Sequence, residues 1–100
     1  PHYHFRLAID AGLSAYAAPL GPLEAGADSF AGQVPMILKV NSSNSLLPAS
    51  SPKTQAITAT VEDALRLGCA AIGFTIYPGS SLSLSMFEDI AEMRREAASK

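Results

Sequence analysis

The sequence predicts an α/β fold of about three parallel strands with flanking helices. Three observations predict it: helix-like and strand-like segments alternate, a glycine stops each helix that precedes a strand, and the strands are almost continuously apolar. The clearest unit is Thr60 to Ser80, TVEDALRLGCAAIGFTIYPGS. Thr60 is placed to cap a helix, with Asp63 three residues on able to reach back to it. Val61, Ala64, Leu65 and Leu67 form the apolar stripe, and Gly68 stands where a left-handed C-cap is wanted. Cys69 to Ile76 then reads as a buried strand that ends in the turn chemistry of Tyr77, Pro78, Gly79 and Ser80.

The same unit recurs twice upstream. Phe5, Ala8 and Ile9 have helical spacing, Gly12 stops that helix, and Leu13 to Ala18 is a strand ending at Pro19, Leu20 and Gly21. Pro22 suits the first turn of a helix reaching about Phe30, Gly32 ends it, and Pro35 to Val40 is the second strand. Ser42 to Pro52, rich in Ser and Pro, reads as an extended loop before the third helix. After the third strand, Ser85 and Glu88 can form a capping box. Met86, Phe87, Ile90, Met93 and Ala97 supply that last helix's buried stripe, with Glu92–Arg95 or Glu96–Lys100 as ion pairs at helical spacing.

Strand alternation separates a helix-facing side from an inner side. Met36, Leu38 and Val40 oppose Ile37, Lys39 and Asn41; Ile72, Phe74 and Ile76 oppose Ala71, Gly73, Thr75 and Tyr77; Ser14, Tyr16 and Ala18 oppose Leu13, Ala15 and Ala17. One face grows polar toward its carboxyl end, where parallel α/β folds bind ligands. The lining candidates are therefore Lys39, Asn41, Thr75 and Tyr77.

Lys39, inside the apolar run ILKVN, must find a carboxylate, a carbonyl cluster or a ligand phosphate, or lose its proton. A structural ion pair is the preferred reading, direct ligand contact the second, and a Schiff-base nucleophile comes behind both. Asn41, Ser42, Ser43, Asn44 and Ser45 can turn N–H groups and hydroxyls toward an anion, although such clusters more often bond their own backbone. Tyr77 can donate to a sugar hydroxyl or simply pack. His2 and His4 lack the carboxylate or thiolate set of a metal site. Gly21, Gly26 and Gly32 match no phosphate-binding signature, and Glu24 with Asp28 reads as a solvated face.

With 100 residues, 48% of them hydrophobic and 16% charged, the chain has the makings of a packed core. A net charge of -2 and a pI near 5.5 give no electrostatic case for nucleic acid or an anionic membrane. No apolar run approaches the roughly 20 residues that span a bilayer. Cys69, the one cysteine, reads as a small apolar side chain in a reducing compartment. The chain opens at Pro1 inside a helical pattern and reaches Lys100 with another still running. This reads as a piece of a larger α/β domain, whose unpaired sheet edges call for another chain or self-association.

VPMILKVNSSNSL at Val34 to Leu46, TQAITATVEDALRLGCAAIGFTIYPGS at Thr54 to Ser80 and MFEDIAEMRREA at Met86 to Ala97 together resemble the class I fructose-bisphosphate aldolases of the bacterial and archaeal type. LAIDAGLSAYAAPLG fits less specifically. The resemblance implies a partial (βα)8 TIM barrel, about the second to fourth βα units, beginning in the helix before the second strand. It also implies a metal-free, cofactor-free cytoplasmic lyase of glycolysis or gluconeogenesis that splits fructose 1,6-bisphosphate through a lysine Schiff base; the exposed sheet edges, apart from the resemblance, read as sites of homo-oligomer formation or self-association. The imine lysine, the proton-transferring tyrosine and a supporting aspartate fall outside this chain by that resemblance. Neither Lys39 nor Tyr77 inherits those roles, and the chain alone is expected to be inactive. The competing reading is a non-catalytic α/β module that binds a small anion or a protein partner.

Overall fold

The computed structural model describes residues 2–42, 50 and 55–100. Helix α1 (His2–Asp10) leads to strand β1 (Tyr16–Pro19), helix α2 (Leu20–Phe30), strand β2 (Met36–Lys39) and the short strands β3 (Asn41–Ser42) and β4 (Ala56–Ile57). Helix α3 (Val61–Arg66), strand β5 (Ala71–Gly73) and helix α4 (Ser83–Ala98) complete the order.

β1, β2 and β5 form one parallel sheet in that order, as the three apolar runs predict. The register sets Tyr16 and Ala18 beside Met36 and Leu38, and Leu38 beside Ile72. Met36, Leu38 and Val40 are all but inaccessible to solvent, while Ile37 and Lys39 on the other side are half-buried and Ala17, Pro19 and Ala71 are exposed. Helices thus cover one face only, and Lys39 lies on the uncovered one. Between the covered face and the helices, Phe5, Leu23, Phe30, Leu38, Val61, Ala64 and Met93 make a single core, with Ile72 and Phe74 packed against it. Phe5 is its hub, tilted against Tyr16 and Phe30 at centroid distances of 5.1 and 5.2 Å.

Glycine ends the helices by two routes. Gly12 (φ +70°) and Gly68 (φ +69°) each close a Schellman pair: Gly12 N–H to Ile9 O with Leu13 N–H to Ala8 O, and Gly68 N–H to Leu65 O with Cys69 N–H to Ala64 O. Ala31 and Gly32 instead make a type II turn, with Gly32 at φ +75° and Gln33 N–H on the Phe30 carbonyl at 2.8 Å. At the other end of α3 the Thr60–Asp63 capping box is complete in both directions, at 3.1 and 3.0 Å.

Several expectations need correction. The first strand starts at Tyr16, not Leu13, because Leu13 is held in the α1 stop and is exposed. The third ends at Gly73, not Ile76, because after Val40 the chain leaves it and, as β3, pairs antiparallel with β4, Asn41 beside Ile57 and Ser42 beside Ala56. That small ladder closes the Ser- and Pro-rich excursion read as one open loop, most of which, including Ser43, Asn44 and Ser45, lies outside the described residues. Helix α4 begins at Ser83, so Ser85 lies inside it and forms no capping box with Glu88. A turn at Ser80 sets the start instead, its hydroxyl accepting from Leu82 N–H at 3.1 Å. Leu65 and Phe87 are exposed, each one step round its helix from the buried stripe. The expected pairs Glu92–Arg95 and Glu96–Lys100 do not form; the ion pairs among the described residues join Arg66 to Asp63 and to Glu24 of α2.

Candidate functional site

The polar rim of the sheet lies at its carboxyl edge, and the sequence places four candidates there. Lys39 is the last residue of β2, level with Pro19 of β1 and Gly73 of β5. With proline and glycine as its strand neighbours, no long side chain flanks it within the sheet. Its ammonium makes no hydrogen bond or ion pair among the described residues. Residues 43–49 and 51–54 contain no Asp or Glu, so the preferred structural ion pair has no carboxylate to use within this chain.

Asn41 is not an open lining residue. It is fully buried, and its amide grips the backbone of Thr75: Nδ2–H donates to the Thr75 carbonyl at 2.7 Å and Oδ1 accepts the Thr75 N–H at 2.9 Å. Thr75 is half-buried just beyond the end of β5, and Tyr77 follows two residues on, also half-buried. The structure therefore joins Asn41 to Thr75 directly, while Lys39 stands beside them without a bond to either.

Gln55 was missed. It sits within the Thr54–Ser80 motif but carries no charge and no local pattern, and its significance depends on a contact 22 residues away. The side chain is 7% exposed, its Nε2–H donates to the Tyr77 hydroxyl at 3.2 Å, and its Oε1 is buried without a partner among the described residues. Of the four candidates, Asn41 is thus spent on backbone contacts, while the Lys39 ammonium and the Thr75 and Tyr77 hydroxyls are not bonded to backbone among the described residues.

Elsewhere, burial raises the Cys69 thiol above its ordinary pKa, so it is a poor nucleophile at neutral pH. The described residues contain no cluster of three or more metal-ligating side chains; His2 bonds Ser29. No helix among them is long and apolar enough to cross a membrane.

Comparison with known proteins agrees with this architecture. Residues 1–100 match the DeoC/LacD family of aldolases. The chain is 39% identical over 97 residues to the class 1 fructose-bisphosphate aldolase of Thermoproteus tenax, covering 97% of this chain and 35% of that protein. It is likewise 39% identical over 92 residues to a probable class 1 fructose-bisphosphate aldolase of Chlamydia trachomatis, covering 92% and 26%. An archaeal fructose-1,6-bisphosphate aldolase, solved with its catalytic Lys covalently bound to the carbinolamine intermediate of the substrate, superposes with a TM-score of 0.87. That match is 37% identical and covers 99% of this chain and 38% of the solved one. The chain spans about a third of these relatives, and its three-stranded sheet is part of a (βα)8 barrel. It belongs to the DeoC/LacD aldolase family.

Proposed function

We propose that this chain is one wall of a class I fructose-bisphosphate aldolase, about its second to fourth βα units. The carrying observation is a parallel sheet covered by helices on one face, with Lys39 at the end of its central strand, in a chain that superposes along 99% of its length on a Schiff-base-forming fructose-1,6-bisphosphate aldolase. The substrate is fructose 1,6-bisphosphate, cleaved to dihydroxyacetone phosphate and glyceraldehyde 3-phosphate. An imine on a lysine outside this chain accepts the electrons of the broken carbon–carbon bond. Lys39 offers its ammonium toward a substrate phosphate, Tyr77 its hydroxyl toward the sugar, and Thr75 lines the wall between them. Asn41 belongs to the same wall from behind, through Thr75.

The enzyme works in the cytoplasm, in glycolysis or gluconeogenesis. Supporting this, a bisphosphorylated sugar carries charge that does not cross a bilayer readily, so its enzyme is needed where the substrate is made. Self-association is also proposed. Tyr3 and Leu84, each 70% exposed, are apolar groups on helical surfaces that a second subunit can cover. A coupled assay of the full-length protein carrying this chain tests the activity: cleavage of fructose 1,6-bisphosphate is expected, and its absence in a folded protein refutes the reading.

A further inference from the structure

The ladder between β2 and β5 stops before the polar rim. Val40 N–H still reaches the Gly73 carbonyl at 3.0 Å, but the Val40 carbonyl is already taken by Thr58 N–H at 2.9 Å, and the chain beyond it pairs with β4. The segment carrying Thr75 and Tyr77 has lost its strand neighbour at the place where the candidates sit. Two buried amides replace that neighbour. The Asn41 side chain offers Thr75 one donor and one acceptor, as a peptide unit of an adjacent strand would. Gln55 holds the other end, its Nε2–H on the Tyr77 oxygen. Because that bond occupies a lone pair of the phenol, the Tyr77 proton is directed away from Gln55 and is free for another acceptor. The buried Oε1 has no partner among the described residues, and an unpaired buried acceptor is a local cost of the kind that concentrates where function sets the geometry.

We propose that Asn41 and Gln55 are positioning residues, which hold the segment from Thr75 to Tyr77 so that the Tyr77 hydroxyl donates to a hydroxyl oxygen of the sugar-phosphate substrate. The inference rests on the aldolase reading above and adds how its rim is set. Asn41 acts on the backbone, Gln55 on the hydroxyl itself, and neither touches the substrate.

The test uses the full-length protein with Gln55→Met, Tyr77→Phe and the two combined. Each single change is expected to raise KM about three- to tenfold, the scale of one lost hydrogen bond, with kcat little altered. The double variant is expected to be no worse than Tyr77→Phe, since Gln55 acts only through that hydroxyl. Additive effects, or an unchanged KM in Gln55→Met, overturn the proposal. If the wild-type protein cleaves no sugar bisphosphate, the aldolase reading falls by itself, and hydrogen exchange at the Thr75 amide decides the clamp. Asn41→Leu, which removes both the acceptor of the Thr75 N–H and the donor to its carbonyl, is expected to lose Thr75 protection, whereas Gln55→Met is expected to keep it. Unchanged Thr75 protection in Asn41→Leu overturns the clamp.

Discussion

At the residue scale, two side-chain positions carry consequences that their sequence context reveals unequally. Gly26 matched no ligand signature, and nothing local explains it. The structure shows that a Cβ there falls 1.9 Å from the Phe5 ring, so Gly26 is what lets α2 approach α1. Gly26→Ala gains up to about 1 kcal/mol in helix propensity but must displace the core's central aromatic, at about 1–3 kcal/mol or more. Urea denaturation of the full-length protein is expected to show a net loss; a more stable variant contradicts this packing. Lys39 was legible as an anomaly because a charge in an apolar strand is visible from sequence alone. Its partner was not legible, since pairing depends on which strands lie alongside. With no acid for it in this chain, Lys39→Met is expected to raise KM several-fold while Tm moves little. A large drop in Tm with normal KM instead points to a structural partner elsewhere in the barrel.

Elements were readable where their signals are local. The Thr60–Asp63 box and the glycine stops at Gly12 and Gly68 need only a few neighbouring residues, and they form as read. The α4 start was misread because Ser85–Glu88 has box spacing, yet the turn at Ser80 has already committed the chain to helix at Ser83. The β3–β4 ladder was invisible, being two residues long on each side and closed across a long excursion. Thr60→Ala is expected to cost about 1 kcal/mol of stability, read from the urea midpoint. The Thr60 backbone N–H, and then Arg66 and the Thr60 hydroxyl, hold Asp63 below the ordinary carboxylate pKa. A lowered folded-state pKa means that this stabilisation is complete above the unfolded value, about 4, and fades as pH falls through the folded value. The stability gap between wild type and Asp63→Asn is therefore expected to close on acidification below pH of about 4. A gap that persists at the acid limit removes Asp63 from that role.

For the whole molecule, strand order and sidedness were legible because period-two alternation marks which face is buried, and three apolar runs after three helices leave few parallel arrangements. The candidate site was readable in the sequence only as a proposed rim. Which rim side chains are tied to backbone and which are open depends on contacts such as Asn41–Thr75, 34 residues apart, that no local pattern encodes. The central claim is that this chain supplies barrel wall and substrate contacts but not the imine lysine. Borohydride trapping with dihydroxyacetone phosphate, followed by peptide mass mapping of the full-length protein, tests it most directly. The account predicts a single stable adduct on a lysine outside these 100 residues, and none on the isolated chain. An adduct on Lys39, Lys53 or Lys100, formed at a rate that matches turnover, would contradict it.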